Sequence, residues 1–150
     1  MKMLMAVLAG TAVLAAGCGS GGSGGSQSGA QSAADFVRQV TTQFSRGQSG
    51  RLWDELLPSD QRIATRARFL GCQPNEGWSL KHIKVLETYN DPVYVAGKPI
   101  PAKAVSVQVS SDDGVTTATM HAVSVAGRWH WVLQASDRGA YRAGKCPRGA

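Results

Sequence analysis

Val105-Ser106-Val107-Gln108-Val109-Ser110-Ser111-Asp112-Asp113-Gly114-Val115 carries the reading that decides the fold. Val105, Val107 and Val109 alternate with Ser106 and Gln108, the period of two that marks a strand with one buried face. Asp112-Asp113-Gly114 is a hairpin turn signal, because the glycine supplies backbone conformations that other residues resist. Val115 to Val125 then reads as the returning strand, rich in Thr, Ala and Val, with Ala118, Met120 and Ala122 on one side. Ala126-Gly127 turns the chain again, and Trp129, Trp131 and Leu133 share one face of a last strand. Upstream, Ile83 and Val85 alternate with polar neighbours from Lys81 to Tyr89. These segments make a meandering antiparallel sheet.

Before the sheet the period changes to that of helices. Ser32 followed by Asp35 resembles a capping pair with a short acid. Phe36, Val37, Val40 and Phe44 recur at helical spacing, with Arg38, Gln39 and Gln43 on the other face, and Gly47 suits a left-handed helix end. Leu52, Trp53, Leu56 and Leu57 form a second, short apolar face that Pro58 is expected to stop. Ser59 is expected to cap a third helix to about Leu70, with Ile63, Ala67 and Leu70 as its apolar side and Phe69 beside them. Gly71 is expected to end it. Helices first and a meander second is an α+β order. Residues 32–147 are enough for a single domain, but not for two.

The first thirty residues have another character. Lys2 gives a short positive start, and Leu4 to Ala16 an apolar run of about thirteen residues, where a membrane-spanning helix needs about 20. Leu14-Ala15-Ala16-Gly17-Cys18 resembles the lipobox of bacterial lipoprotein precursors. That resemblance implies cleavage after Gly17, lipid on Cys18, and a protein held outside the cytoplasm on the bacterial cell membrane. A diacylglyceryl group gives two chains, and two chains anchor stably where one does not. Gly19 to Gly29 is nearly pure Gly and Ser, expected to act as a disordered tether of roughly 20 Å end to end. The expected divisions are therefore a signal peptide at 1–17, a lipidated Cys and tether at 18–31, the domain at 32–147 and a tail at 148–150.

The chain has three cysteines. With Cys18 lipidated, Cys72 and Cys146 remain, and two cysteines in an oxidising compartment commonly pair. Two separate thiols are the alternative. Neither sits in a Cys-x-x-Cys spacing, so no zinc or redox motif is read from them.

A helical hairpin with Trp53-Asp54-Glu55-Leu56-Leu57-Pro58, Phe69 near a cysteine, and a sheet ending in Gly127-Arg128-Trp129-His130-Trp131-Val132-Leu133 together resemble the nuclear transport factor 2-like superfamily. They are similar in particular to its small bacterial lipoproteins and its polyketide cyclase-like branch. The resemblance covers about Ala33 to Leu133. It implies a cone, with a curved sheet wrapped around helices as in cystatin-like folds, and a pocket between them. Trp53, Phe69, Trp129, Trp131 and His121 are the candidate lining residues. Trp78, in a loop-like stretch, is expected to be the most exposed of the tryptophans.

Little in the sequence points to catalysis, and no catalytic residue is assigned. His82, His121 and His130 are not spaced as metal ligands, and none has a carboxylate two or four residues on. Asp54 and Glu55 read as a solvated helix face. No nucleophile elbow, phosphate loop or dinucleotide fingerprint occurs. No cofactor and no metal is expected. The formal net charge is +6, with Arg62, Arg66 and Arg68 on the third helix and Arg138, Arg142, Lys145 and Arg148 in a tail read as solvated. Without interleaved aromatics and outside the cytoplasm, these residues do not read as a nucleic-acid site. The expected function is a non-enzymatic binding or accessory domain in the cell envelope. Its expected partners are the membrane through Cys18, and a small apolar ligand, a cell-wall polymer or another envelope protein. The alternative is an enzyme of the polyketide cyclase or ketosteroid isomerase type.

Overall fold

A computed structural model of the chain describes residues 31–73 and 77–147. The signal, Cys18, the tether up to residue 30 and the tail at 148–150 lie outside the described residues. The elements run α1 (Ala33–Ser45), α2 (Ser49–Asp54), α3 (Pro58–Ile63), α4 (Arg66–Cys72), β1 (Leu80–Asn90), β2 (Val93–Val95), β3 (Lys98–Ile100), β4 (Lys103–Ser111), β5 (Gly114–Val125), β6 (Arg128–Trp131) and α5 (Ala135–Arg142). The class is α+β: helices packed on a curved antiparallel sheet. The sheet has the order β1-β4-β5-β6, and β2 pairs with β3 in a separate hairpin.

Cross-strand register sorts the side chains. Val105 lies opposite Met120, Val107 opposite Ala118 and Val85, and Ala122 opposite Trp131. These share the inner face and meet Phe36, Val37 and Val40 of α1 in one core, which also holds Leu52, Leu56, Phe69 and Tyr141. The outer face carries Ser106, Thr119 and His121. A second, smaller core of Leu57, Ala102, Val123 and Val132 lies under the β2–β3 hairpin, through Val93, Val95 and Ile100.

α1 starts as the sequence reads. Ser32 Oγ accepts the Asp35 amide at 3.1 Å and donates to the Asp35 carboxylate at 2.6 Å. Gly47 follows the end of the helix with φ 63°. The expected third helix is instead two. Pro58 begins α3 at its first turn, where its missing N–H is no loss, rather than stopping the segment before it. The chain then leaves helical geometry at Ala64 and restarts after Thr65. The break lets the Trp53 indole donate to the Ala64 carbonyl at 2.8 Å, and it turns Phe69 fully inward while Ala67 is exposed. Gly71 lies within α4, which ends at Cys72.

Cys72 and Cys146 form a disulfide, with Cα atoms 5.2 Å apart. Arg138 is no part of a solvated tail. It belongs to α5, is buried, and lays its guanidinium on the buried Asp60 carboxylate. An ion pair offsets the cost of taking that arginine out of water; solvation does not.

Candidate functional site

Two clefts open along β5 and meet. The first, about 410 Å³, lies between α1 and the inner face of the sheet. Phe44 and Thr41 wall one side, Val107, Val109, Ala118 and Met120 form the floor, and Trp78 closes an end. Trp78 is positioned by backbone: its N–H donates to the Ser45 carbonyl at 2.8 Å. Gly77 makes this possible, because a Cβ there would stand 2.5 Å from the same carbonyl oxygen. Asp113, in the hairpin turn, is the one carboxylate on the lining among the described residues.

The second cleft, about 770 Å³, shares Phe44, Ala118 and Met120 with the first. It passes along the edge of β5 towards the β1–β2 connection and α5. On its wall His121 Nε2 meets Asp91 Oδ2 at 2.8 Å, with the two side chains 30 % and 46 % exposed. Asp91 is itself fixed by its amide, which donates to the Ala102 carbonyl. No local pattern announces this pair, since the two residues are thirty positions apart and a connection between strands brings them together.

Arg138 also borders the second cleft but has no freedom there. Its Nε and Nη2 hold Asp60 at 2.7 and 3.0 Å, and its Nη1 donates to the Tyr94 carbonyl. Asp60 Oδ2 further accepts the Leu133 amide. The network ties α3, α5 and the β2–β3 hairpin together, and it leaves no carboxylate oxygen for chemistry.

Of the lining residues proposed from sequence, Trp131 and His121 border the second cleft. Trp131 is also core: its indole donates to the Leu52 carbonyl at 2.7 Å, and its ring meets Phe44 edge-on. Phe69 is fully buried between Trp131 and Tyr141. Trp53 packs against the core, and Trp129 donates to the Gln31 carbonyl at 2.6 Å. Phe69, Trp53 and Trp129 thus line neither of these two clefts and pack in or against the core. Trp78, 37 % exposed, does line the apolar cleft. Its loop-like surroundings were the signal for that exposure.

Among the described residues no group of three His, Cys, Asp or Glu could hold a metal ion, and no helix is long and apolar enough to cross a membrane. The joined clefts suit a molecule with an apolar body and a polar end: the body against Phe44, Met120 and Trp78, the polar end near His121 and Asp91. No protein-family model matches the chain, and no curated protein matches it.

Proposed function

We propose that this is an extracytoplasmic lipoprotein, anchored through Cys18, whose domain is a non-enzymatic binding module for an elongated apolar ligand. In this reading the fold is a variant of the nuclear transport factor 2-like cone. One observation carries the binding role: the cleft between α1 and the sheet is floored by Val107, Val109, Ala118 and Met120, and among the described residues its single carboxylate is in the hairpin turn. Acid–base catalysis needs an ionisable group within reach of the reacting atom, and that floor has none.

Titration with an anilinonaphthalene probe, followed by displacement with a long-chain alcohol, tests the binding role. Ala118→Phe fills the cleft and is expected to weaken probe binding at least tenfold, while circular dichroism stays unchanged. Equal binding by this variant sinks the proposal. The anchor is tested separately by the intact mass of membrane-extracted protein, and by whether Cys18→Ser moves the chain to the soluble fraction.

The His121–Asp91 contact supports the enzymatic alternative, because a carboxylate that orients an imidazole is a common acid–base arrangement. That reading requires turnover of a ketosteroid or cyclisable polyketide, abolished in His121→Gln and Asp91→Asn with probe binding intact.

A further inference from the structure

The sheet has two edges, and only one is guarded. β1 carries Lys81, Lys84 and Glu87, and its pairing with β4 is broken by register shifts at Leu80/His82 and Val85/Glu87. Charges and bulges of this kind keep an edge strand from pairing with another chain. The opposite edge is β5 where β6 does not reach it. β6 pairs only with residues 122–125, so Gly114 to His121 have β4 on one side and, among the described residues, no strand on the other. From Gly114 to Met120 this edge has no charge, no proline and no register shift. Gly114 to Thr119 are all exposed, Val115 by 64 %. The second cleft keeps space open beside Ala118 to His121.

We infer that β5 is a self-association edge, and that its occupant is β5 of a second copy of this chain, antiparallel about a two-fold axis. In such a pair one residue faces itself. An axis at Thr117 uses the whole free edge. Thr116 then faces the partner's Ala118, Val115 the partner's Thr119 and Gly114 the partner's Met120. At each end Asp113 comes opposite the partner's His121, an acid against an imidazole whose Nε2 meets Asp91. An axis at Ala118 shortens the ladder and sets His121 against Val115. An axis at Thr116 would run the pairing into the Asp112-Asp113 turn. Charge complementarity and length thus select the same register. The two sheets become one, and Thr116, Ala118 and Met120 of both apolar clefts lie side by side across the axis.

The test uses the full chain on the membranes of expressing cells. A cysteine at a residue that faces itself is within disulfide reach, since opposed Cα atoms in an antiparallel pair lie about 4.5–5.5 Å apart. Under mild oxidation, Thr117→Cys is expected to run mainly as a dimer on a non-reducing gel. Wild type and Lys84→Cys, which places the thiol on the guarded edge, are expected to stay monomeric. Detergent-extracted wild type is expected to sediment as a dimer, and Thr117→Lys, which sets two ammonium groups face to face, as a monomer with its Cys72–Cys146 bridge intact. A monomeric wild type overturns the inference. So does a dimer that Thr117→Lys leaves whole, crosslinking in Lys84→Cys as strong as in Thr117→Cys, or a monomer that carries a foreign extended peptide on β5.

Discussion

Arg138 reaches across 78 residues to hold Asp60 through two charge-assisted hydrogen bonds, with the two side chains 9 % and 0 % exposed. A pair buried to this degree holds its surroundings in one arrangement. Removing one partner leaves the other charged and dry, which typically costs about 3–5 kcal/mol. Asp60→Ala is therefore expected to lower unfolding free energy by about that much in a urea titration, because the Leu133 amide also loses its acceptor. The double change Asp60→Leu with Arg138→Met should recover more than half of the loss. A double variant as unstable as Asp60→Ala would show that shape, not charge, governs this site.

The disulfide gives a second expectation. It joins cysteines 74 positions apart. On the chain-entropy account a crosslink closing so long a loop stabilises by about 4 kcal/mol. Replacing both cysteines by alanine, or adding reductant, should lower the melting temperature by a similar amount in each case. Additive effects of the two treatments would contradict the bridge.

Gly77→Ala probes how Trp78 is placed. The new methyl group would meet the Ser45 carbonyl at 2.5 Å, so the loop must move and the amide bond from Trp78 to Ser45 is lost. A cost of about 1–3 kcal/mol is expected, as for other overpacked sites. The anilinonaphthalene probe should also bind more weakly, because one end of the cleft opens. Unchanged affinity would separate Trp78 from the ligand site.

Two hairpins turn through alanine in left-handed backbone: Ala96 at φ 50° before Gly97, and Ala126 at φ 49° before Gly127. Alanine has no side chain that compensates for this conformation, whereas asparagine tolerates it and favours two-residue hairpins. Ala126→Asn should therefore raise stability, by on the order of 1 kcal/mol at most. A fall in melting temperature would point to an unfavourable contact of the new side chain.

At the start of α1, the hydrogen bond from Ser32 holds the Asp35 carboxyl below its ordinary value of 3.8, and Arg38 adds to this. A carboxyl with a depressed value stabilises the fold above its unfolded value and loses that effect as pH falls through the folded one. Ser32→Ala should therefore be less stable than wild type at neutral pH. The gap should narrow as the pH drops below 3.8, and a gap that widens in acid contradicts the assignment.

Most of the sheet was legible because alternation is local: Val105, Val107 and Val109 face inward whatever lies across from them. The start of α1 was legible for the same reason, since Ser32 and Asp35 are three residues apart. The break at Ala64 was not, because apolar residues continue at helical spacing through it and only the packing of Phe69 and Trp53 decides against one long helix. β2 and β3 have three residues each, one of them Pro99, too few to show a period. α5 hid behind Gly139 and a run of arginines. The site was the least legible part. Asp91 with His121, and Asp60 with Arg138, are joined only by the fold, and an arginine destined for burial has the same letter as one destined for water.

The bridge between Cys72 and Cys146 also sorts the molecule by connectivity. β1 to β6 and α5 lie inside the covalent ring that it closes, while α1, α2 and α3 lie outside. A protease that cuts once at an exposed turn inside the ring, such as Asp112-Asp113 or Ala126-Gly127, releases nothing until the bridge is reduced. One cut between α1 and α2 leaves α1 held by packing alone. As long as the bridge is not reduced, every strand that builds the clefts therefore stays in one covalent piece after a first cleavage inside the ring.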